Sequence, residues 1–402
     1  MSEVLLKDIT ELIVDCPHST AYDEGKGFPL VRTPNIGKGR LIYSGMHRVS
    51  EEVYNQRNAR AVPQKDDLIF AREATAGNVA LIQKDEKVCL GQRTVLIRPD
   101  KSKVNPAYLT YTLLAPKQQY NLLSTANGAT VAHVNLPTIR NLKLDIPNIE
   151  TQHRIASILS RYDSLIENYQ KQIKLLEEAA QRLYKEWFVD LHFPGHENAK
   201  IVDGVPEGWE KKTINDICTH ISSGSTPSRR NKSYWENGTI KWVKTKELLD
   251  GWIFDTEEYI TDDGLKNSST KIYPVNSILM AIYASPTLGR LGILASECCC
   301  NQAALCLIAN DRIVSWQWLY WKLFELRDEF NSIARGAGQQ NISGIVVKNK
   351  EVLVPTKQVV DAFTNIANPI FESIKKISSQ IRLLTEARDR LLPKLMSGEI
   401  AV

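Results

Sequence analysis

Apolar residues recur every three or four positions in two long stretches of the chain. The first stripe is Ile155, Ile158, Tyr162, Leu165, Tyr169, Ile173, Leu176, Ala180, Leu183 and Trp187, and the second is Phe363, Ile366, Ile370, Ile374, Ile377, Ile381, Leu384, Ala387 and Leu391. This spacing predicts two long helices with the apolar seam of a coiled coil. Pro369 interrupts the second stripe early, so we expect that helix to kink there or to restart with the proline in its first turn.

Each predicted helix follows a region that is punctuated by glycine and proline and rich in predicted strands. The pattern divides the chain into a first domain (1–149), a first long helix (150–190), a linker (191–207), a second domain (208–354), a second long helix (355–396) and a tail (397–402). The expected fold class is therefore α+β, with an α/β domain ahead of each long helix.

The second half of the chain repeats the first. The matching segments are 208 positions apart (355 − 147 for two of the prolines): Asp8-Ile9 with Asp216-Ile217, Gly128-Ala129 with Gly336-Ala337, Pro147 with Pro355, and IKLLEEAAQRL with IRLLTEARDRL. Elsewhere the offset differs from 208 by a few residues. Val31-Arg32-Thr33 corresponds to Val243-Lys244-Thr245, and Gln92 corresponds to Gln302. Two long copies are too few for a solenoid of short repeats, so we predict a tandem duplication with approximate two-fold symmetry.

Two arrangements of the helices are open. A single amphipathic helix most simply packs on its own domain. Because two matched stripes are each too long for one small domain to cover, however, we expect the helices to bury each other as an antiparallel pair. The expected interface consists of Ile158, Tyr162, Leu165, Tyr169, Ile173 and Leu176 in the first helix and of Ile374, Ile377, Ile381 and Leu384 in the second. Such a rod spans about 54 Å, or about 16 base pairs, which is the scale on which paired domains address two DNA half-sites.

Composition narrows the class of protein without naming a ligand. The chain has 402 residues, of which 43% are hydrophobic and 24% charged, and no apolar run approaches a membrane span. The first residues carry acids where a signal peptide would be basic and then apolar, so we expect a cytoplasmic protein. The seven cysteines lack the paired spacing of a zinc site, and we expect them to be reduced and packed. A net charge of +4 is compatible with nucleic-acid binding but does not indicate it unaided.

Several motifs resemble those of the DNA-specificity subunits of type I restriction-modification systems. They are Arg182-Leu-Tyr-Lys-Glu-Trp-Phe-Val-Asp190 with Phe193-Pro-Gly195, Val205-Pro-Glu-Gly-Trp-Glu210, Ser223-Gly-Ser-Thr-Pro227 with Tyr234-Trp235, Ile240-Lys-Trp242, and Leu391-Leu-Pro-Lys-Leu-Met-Ser-Gly-Glu399. Each motif is weak alone, but their order, spacing and duplication cover essentially the whole chain. The first copy departs from the pattern, since it has Cys16-Pro-His-Ser-Thr20 where the second has Gly224-Ser-Thr-Pro-Ser228.

The resemblance implies two target recognition domains that each read one half of a bipartite, asymmetric DNA sequence. It also implies that the two helices set the spacer and dock modification subunits, two of them in our expectation, and that restriction subunits join through the complex. The chain itself is then not an enzyme and holds no cofactor, because S-adenosylmethionine, Mg²⁺ and ATP serve the partner subunits. In agreement, the sequence contains no phosphate-binding GxxxxGK[ST] loop, no Asn-Pro-Pro-aromatic motif, and no HExxH metal site among its seven histidines.

DNA contact requires cations for phosphates and polar side chains that reach base edges from loops. The candidates in the second copy are Arg229, Arg230, Lys232, Lys244, Lys246, Gln339 and Gln340. The candidates in the first copy are Arg32, Arg40 and Arg72, from a scattered set that also includes Arg48, Arg57 and Arg60. A solvated basic loop or an ordinary edge strand would explain part of the same pattern. A protein-only scaffold, in which the coiled coil joins two interaction domains, is the rival hypothesis, and it predicts no steep salt dependence of DNA binding.

Overall fold

In the computed structural model, the described residues are 2–124, 133–202, 204–283, 287–336 and 341–402. They form two compact units. Unit 1 comprises Met1–Glu167 and Leu383–Val402, and unit 2 comprises Asn168–Arg382. Each unit therefore contains one predicted domain together with a part of each long helix.

Unit 1 contains ten strands and four short helices among its described residues. The strands are β1 (Ser2–Leu5), β2 (Thr10–Asp15), β3 (Phe28–Val31), β4 (Gly39–Arg40), β5 (His47–Val49), β6 (Leu68–Ala71), β7 (Val79–Leu81), β8 (Cys89–Leu90), β9 (Thr94–Pro99) and β10 (Lys143–Ile146). The helices are α1 (Glu51–Arg57), α2 (Pro106–Leu114), α3 (Pro116–Leu123) and α4 (Leu136–Arg140), and they are followed by the first long helix, α5 (Ile149–Phe188).

Unit 2 repeats this order after a short hairpin of β11 (Ile201–Val202) and β12 (Val205–Pro206). Its further strands are β13 (Glu210–Thr213), β14 (Cys218–Ser223), β15 (Ile240–Val243), β16 (Gly251–Ile253), β17 (Glu258–Ile260), β18 (Ile278–Ala281), β19 (Leu291–Leu294), β20 (Cys299–Cys300), β21 (Ala304–Ala309) and β22 (Glu351–Val354). Its short helices are α6 (Asp262–Lys266), α7 (Trp316–Glu325), α8 (Arg327–Gly336) and α9 (Gly344–Lys348), and the second long helix is α10 (Lys357–Ser397).

The sheet topology is the same in both units. In unit 1 the strands pair in the orders β2-β9-β6-β7-β4, β5-β3-β8 and β1-β10. In unit 2 the corresponding orders are β14-β21-β18-β19-β16, β17-β15-β20 and β13-β22. The parallel strand pairs recur as well. Unit 1 has β3 parallel to β8 and β4 parallel to β7. Unit 2 has β15 parallel to β20 and β16 parallel to β19. The predicted duplication and the α+β fold class are confirmed.

The central strands are apolar throughout because each of their faces covers a separate core. In β6, Leu68 and Phe70 belong to the cluster that includes the start of α5, whereas Ile69 and Ala71 belong to a cluster on the opposite face. The same alternation occurs in β18 of unit 2. Successive side chains of a strand point to opposite faces, so a strand that is buried on both sides has no polar positions.

The two long helices pack against each other inside each unit. In unit 2, the ring of Phe363 in α10 lies 6.1 Å from that of Trp187 and 5.0 Å from that of Phe188 in α5. In unit 1, Leu395 of α10 shares a core with Ile155 and Leu159 of α5. The continuity of α10 across Pro369 shows that the predicted restart at this proline is wrong. None of the described helices is long and apolar enough to cross a membrane.

The predicted stripe residues differ in how deeply they are buried. Ile374 is 6% exposed, while Ile158, Tyr162, Tyr169, Ile173, Leu176, Ile377, Ile381 and Leu384 are half-buried. Leu165 is 40% exposed, and its neighbour Ile166 is 3% exposed. Two consecutive steps of four residues begin at Leu165 (Leu165 to Tyr169 to Ile173), so the buried face of α5 has moved by one residue there.

Candidate nucleic-acid interface

In unit 2 the loop between β14 and β15 (224–239) contains the richest group of predicted contact residues. The loop begins at Gly224, where a Cβ atom would lie 2.0 Å from the carbonyl oxygen of Cys300, so only glycine fits this approach. The backbone N–H of Gly224 donates to Ala304 at 3.1 Å. In unit 1, Cys16 stands at this position and its N–H donates to Thr94 at 3.2 Å. The first copy's departure from the motif therefore leaves the backbone hydrogen bond in place.

The Arg229 side chain is half exposed, but its guanidinium is held by contacts within the domain. Its guanidinium carbon lies 3.6 Å from the centre of the Trp235 ring and 4.9 Å from that of Trp242. The guanidinium also donates to the Glu258 carboxylate of β17. Stacking on two indoles and pairing with a carboxylate satisfy an arginine in the way this side chain prefers. Arg229 thus fixes the loop against the three-stranded sheet.

Lys244 and Lys246 belong to the same network. The Lys244 ammonium lies 2.8 Å from Glu258 and 3.0 Å from Glu257, and the Lys246 ammonium lies 2.5 Å from Glu257. The hydrogen bond to Glu258 is the main cause of a raised pKa for Lys244. The structure therefore brings Arg229, Lys244 and Lys246 together, but around an acidic pair that neutralises much of their charge.

Arg230 and Lys232 are exposed and lie outside this network. Arg229 and Lys246 are exposed as well, but their charges are paired with Glu258 and Glu257. The loop packs on the short helix α6 and the segment after it, where the Ser233 hydroxyl lies 3.3 Å from Asp263 and the Ser225 hydroxyl 2.8 Å from that of Ser269. These neighbours add two exposed cations that the sequence did not single out, Lys266 and Lys271. Within the described part of the chain, no ion pair involves Arg230, Lys232, Lys266 or Lys271. The missed lysines could be found only from the packing of α6 on the loop.

Unit 1 holds the corresponding loop (16–27) by different side chains. Arg57 of α1 is 5% exposed, donates to the carbonyl of Leu90 at 3.1 Å and also donates to the carbonyl of Ser19. Arg48 donates to the carbonyl of Gly27 at 2.8 Å. Tyr22 at the outer part of this loop is 83% exposed. An arginine again ties the loop down, although it comes from a different element.

One contact is common to both loops and follows the repeat. Gln92, just after β8, donates to the carbonyl of His18. Gln302, just after β20, accepts from the hydroxyl of Thr226. The ends of strands β3 and β15, at Val31 and Val243, also match, because a single 3₁₀ turn follows each of them. In unit 1 the Asn35 side chain accepts from the backbone N–H of Arg32. In unit 2 the Glu247 side chain accepts from the backbone N–H of Lys244. The two loops are therefore equivalent in position.

The predicted contacts of unit 1 are less exposed than those of unit 2. Arg72 is 8% exposed, and its guanidinium donates to the carbonyl of Val134 at 2.9 Å and to Asp15 at 2.8 Å. This places Arg72 in the interior and not on the surface, where a phosphate contact was expected. Arg32 donates to the carbonyl of Gly45 at 3.2 Å and is half-buried, and Arg40 lies half-buried on β4. Gln339 and Gln340 lie outside the described residues.

No group of three or more His, Cys, Asp or Glu side chains in the described ranges could hold a metal ion. The seven cysteines are free thiols, and burial raises the pKa of Cys218 to about 12. Such thiols are poor nucleophiles because the reactive species is the thiolate.

These features define a duplicated α+β protein with one solvent-facing polar loop at the same place in each copy. The sequence matches the family model described as "Type I restriction modification DNA specificity domain" over residues 2–178 and again over 206–383. The chain therefore belongs to the family of type I restriction-modification DNA specificity proteins, and the predicted resemblance is confirmed.

Individual relatives cover nearly the full length. The chain is 27% identical to the type I restriction enzyme MjaIX specificity subunit of Methanocaldococcus jannaschii, over 99% of this chain and 93% of that protein. It is 24% identical to the HindI specificity subunit of Haemophilus influenzae, over 85% of this chain and 88% of that protein. Among solved structures, the S subunit of a type I restriction-modification system from M. genitalium matches with a TM-score of 0.60 at 16% identity, covering 98% and 95% of the two chains. The last similarity shows the shared fold.

Proposed function

We propose that this protein is the non-catalytic DNA-specificity subunit of a type I restriction-modification complex and that each of its domains (1–149 and 208–354) reads one half of a bipartite, asymmetric DNA site. The observation that carries the proposal is the pair of equivalent loops, 16–27 and 224–239, each anchored by a buried or stacked arginine. Anchoring matters because base readout requires side chains held in fixed positions.

In unit 2, the anchored cations and the contacting cations are different residues. Arg229, Lys244 and Lys246 are used in the network around Glu257 and Glu258. Arg230, Lys232, Lys266 and Lys271 face solvent and serve as phosphate contacts. Each phosphate contact releases condensed counterions, so binding falls steeply with salt. A scaffold that binds only proteins would have no such dependence.

The helical pair sets the spacer and docks two modification subunits. Its exposed faces carry two leucines that are related by the repeat, Leu175 in α5 and Leu383 in α10, which are 64% and 53% exposed. A single exposed leucine is ordinary on a protein surface, so it is the repeat relation between these two leucines that supports a partner interface. Because the two leucines are 208 positions apart (383 − 175), two copies of one partner would find matching contacts.

The deciding experiment is co-expression with the cognate modification subunit, followed by sequencing of methylated adenines. We expect one bipartite motif, and we expect replacement of residues 208–354 by another recognition domain to change only one half of it. A continuous motif, or one that is unchanged by the replacement, would refute the proposal.

Docking is tested separately by native mass spectrometry of the complex. Leu175→Asp and Leu383→Asp should each reduce the bound modification subunits from two to one. Lys376→Asp is the control, since Lys376 is an exposed polar residue of α10 that lies outside the apolar stripes. Equal loss in all three variants would argue against matched docking sites. S-adenosylmethionine, Mg²⁺ and ATP are expected to bind the partner subunits.

A further inference from the structure

Tyr22 lies near the middle of the loop 16–27 of unit 1, and its ring faces water. At 83% it is the most exposed large apolar side chain of the described residues. Its hydroxyl forms no hydrogen bond within the described part of the chain. Tyrosines that combine an apolar ring with a polar end are enriched at binding surfaces. One exposed side chain is ordinary on a protein surface, however, so a role for Tyr22 depends on whether the fold holds it in place.

The backbone before Tyr22 is fixed by contacts within unit 1. The guanidinium of Arg57, which is 5% exposed, donates to the carbonyl of Ser19. Ala21, directly before the tyrosine, packs against the apolar cluster between β3, β5 and α1. The chain therefore enters the position of Tyr22 in one conformation.

The backbone after Tyr22 is fixed as well. One carboxylate oxygen of Asp23 accepts from the backbone N–H of Arg48 at 2.9 Å and from that of Gly25 at 3.0 Å, and the N–H of Glu24 donates to the carbonyl of Arg48 at 2.8 Å. The hydrogen bond from Arg48 is the main cause of a lowered pKa for Asp23, so its carboxylate remains charged near neutral pH. Because only the two side-chain torsions of Tyr22 are free, little conformational entropy is lost when its ring is bound.

The equivalent loop of unit 2 (224–239), which the structure describes throughout, presents no exposed ring. Its aromatic residues, Tyr234 and Trp235, are half-buried, and Trp235 is covered by the guanidinium of Arg229. The residues that face solvent there include the cations Arg230 and Lys232. The two loops therefore have the same position but offer different chemistry, which is what an asymmetric DNA site requires.

Three exposed cations border the loop of unit 1 and suit it to a polyanion. Lys26 belongs to the loop, and Lys87 lies 6.0 Å from the ring of Phe28, the first residue after the loop. Arg48 of β5 is joined to the loop through the carbonyl of Gly27. No ion pair within the described residues involves any of the three cations. Their charges remain available to DNA phosphates on either side of the ring.

We infer that Tyr22 determines the base at one position of the first half-site, where its ring packs against the 5-methyl group of a thymine in the major groove. This inference rests on the proposed function. The adjacent carboxylates of Asp23 and Glu24 are repelled by phosphates, which favours the major groove, about 12 Å wide, over the minor groove, about 6 Å wide. The thymine methyl is the apolar group that base edges present in the major groove, so an apolar ring distinguishes an A·T pair there.

The first test is the methylated motif made by the complex of this chain with its modification subunit. The half-site of unit 1 is the half that stays unchanged when residues 208–354 are replaced. Tyr22→Ala should relax one A·T position in that half and leave the other half unchanged. Tyr22→Phe keeps the ring and should leave the whole motif unchanged. Tyr120→Ala is the matched control and should also leave it unchanged, since Tyr120 is 73% exposed on α3 of the same unit.

The outcomes separate this inference from the proposed function. An unchanged motif with Tyr22→Ala, or relaxation at a G·C pair, would refute the inference while the two-domain reading stands. If the replacement of residues 208–354 changed both halves or neither, the proposed function itself would fail.

The contact is tested directly by binding of the purified complex to DNA in which deoxyuridine replaces thymine. Deoxyuridine lacks only the 5-methyl group. At one thymine of the first half-site, the replacement should weaken binding of the wild type and of Tyr22→Phe about fivefold, the effect of one lost methyl contact. It should have no effect on Tyr22→Ala. Equal responses of Tyr22→Ala and the wild type at every thymine of this half-site would overturn the inference, and fewer bound modification subunits in that case would identify Tyr22 as a protein contact.

Discussion

The guanidinium of Arg388 in α10 lies 2.6 Å from the carboxylate of Asp163 in α5, within unit 1. Both side chains are only about a fifth exposed, at 20% and 22%. The repeat places Ala180 and Phe371 at the equivalent positions of unit 2, where the helices pack through apolar groups. The ion pair therefore distinguishes the helix packing in unit 1 from that in unit 2, and polar pairs at such positions are the kind of device that fixes helix register.

We predict that Arg388→Ala lowers the free energy of unfolding by about 1–3 kcal/mol, since it leaves a half-buried carboxylate without its charged partner. In a double-mutant cycle with Asp163→Ala, the coupling energy should be on the order of 1 kcal/mol. The control is the exposed pair of Arg390 and Glu386 in the same helix, whose coupling should stay below about 0.5 kcal/mol. Equal coupling in the two cycles would show that the pair of Asp163 and Arg388 is no stronger than an ordinary exposed pair.

Neighbouring arginines in the loop of unit 2 should behave differently when they are replaced. Arg230→Ala should reduce DNA affinity and lower the slope of log affinity against log salt by about 0.9, the contribution of one phosphate contact. Its melting temperature should not change, because Arg230 is exposed. Arg229→Ala should lower the melting temperature, since it removes the stack on Trp235 and the pair with Glu258. Salt-dependent binding curves and thermal unfolding of both variants separate the two roles, and a stable Arg229→Ala protein with the reduced slope would reverse our assignment.

The outcome at this loop shows what the sequence can predict. The basic cluster 229–232 was visible as a loop with cations, but Glu258, which pairs with Arg229, is 29 residues away on another strand. Whether a cation faces DNA or a carboxylate is decided by such non-local pairing. Arg72 is the same case, because its partner Asp15 is 57 residues away. The long helices were predictable because helix periodicity is a local pattern in the sequence. The duplication was predictable because a repeat is found by comparing the sequence with itself.

The strand order was not predictable for a related reason. In β2-β9-β6-β7-β4, strands that are neighbours in space come from distant parts of the sequence. The central strands are buried on both faces, so their sequences lack the alternation that would indicate which side faces which core. From a short apolar run of this kind, the length of the strand and its extended conformation can be predicted. The strand with which it pairs is decided only by packing in the whole domain.

Glu177 should make stability depend on pH in a direction that is unusual for a carboxylate. Burial and the charge of Asp250 raise its pKa in the folded protein, so the folded state binds its proton more tightly than the unfolded state. The stability that this gives is present below the unfolded value of about 4.3 and is lost as the pH rises through the folded pKa. We predict that Glu177→Gln raises the melting temperature at pH 7 and that the difference from the wild type shrinks below about pH 4. Glu186→Gln, which removes an exposed carboxylate from the same helix, should have no effect at either pH. A lower melting temperature of Glu177→Gln at pH 7 would contradict the assigned cause.

The length of the spacer between the half-sites should depend on the length of the two long helices, and it should not depend on the recognition domains. In unit 2, Trp187 of α5 packs on Phe363 of α10. Lys171 lies 16 positions before Trp187 (187 − 171), and Ser379 lies 16 positions after Phe363 (379 − 363). In an antiparallel pair, Lys171 and Ser379 are therefore opposite each other. Inserting two helical turns, about seven residues, after both Lys171 and Ser379 keeps the apolar seam in register and lengthens the rod by about 10 Å. We predict a methylated motif whose spacer is longer by about three base pairs and whose two halves are unchanged. The same insertion after Lys171 alone moves every apolar contact beyond it out of register and should abolish methylation. Altered bases in either half of the motif would mean that the helices take part in base reading.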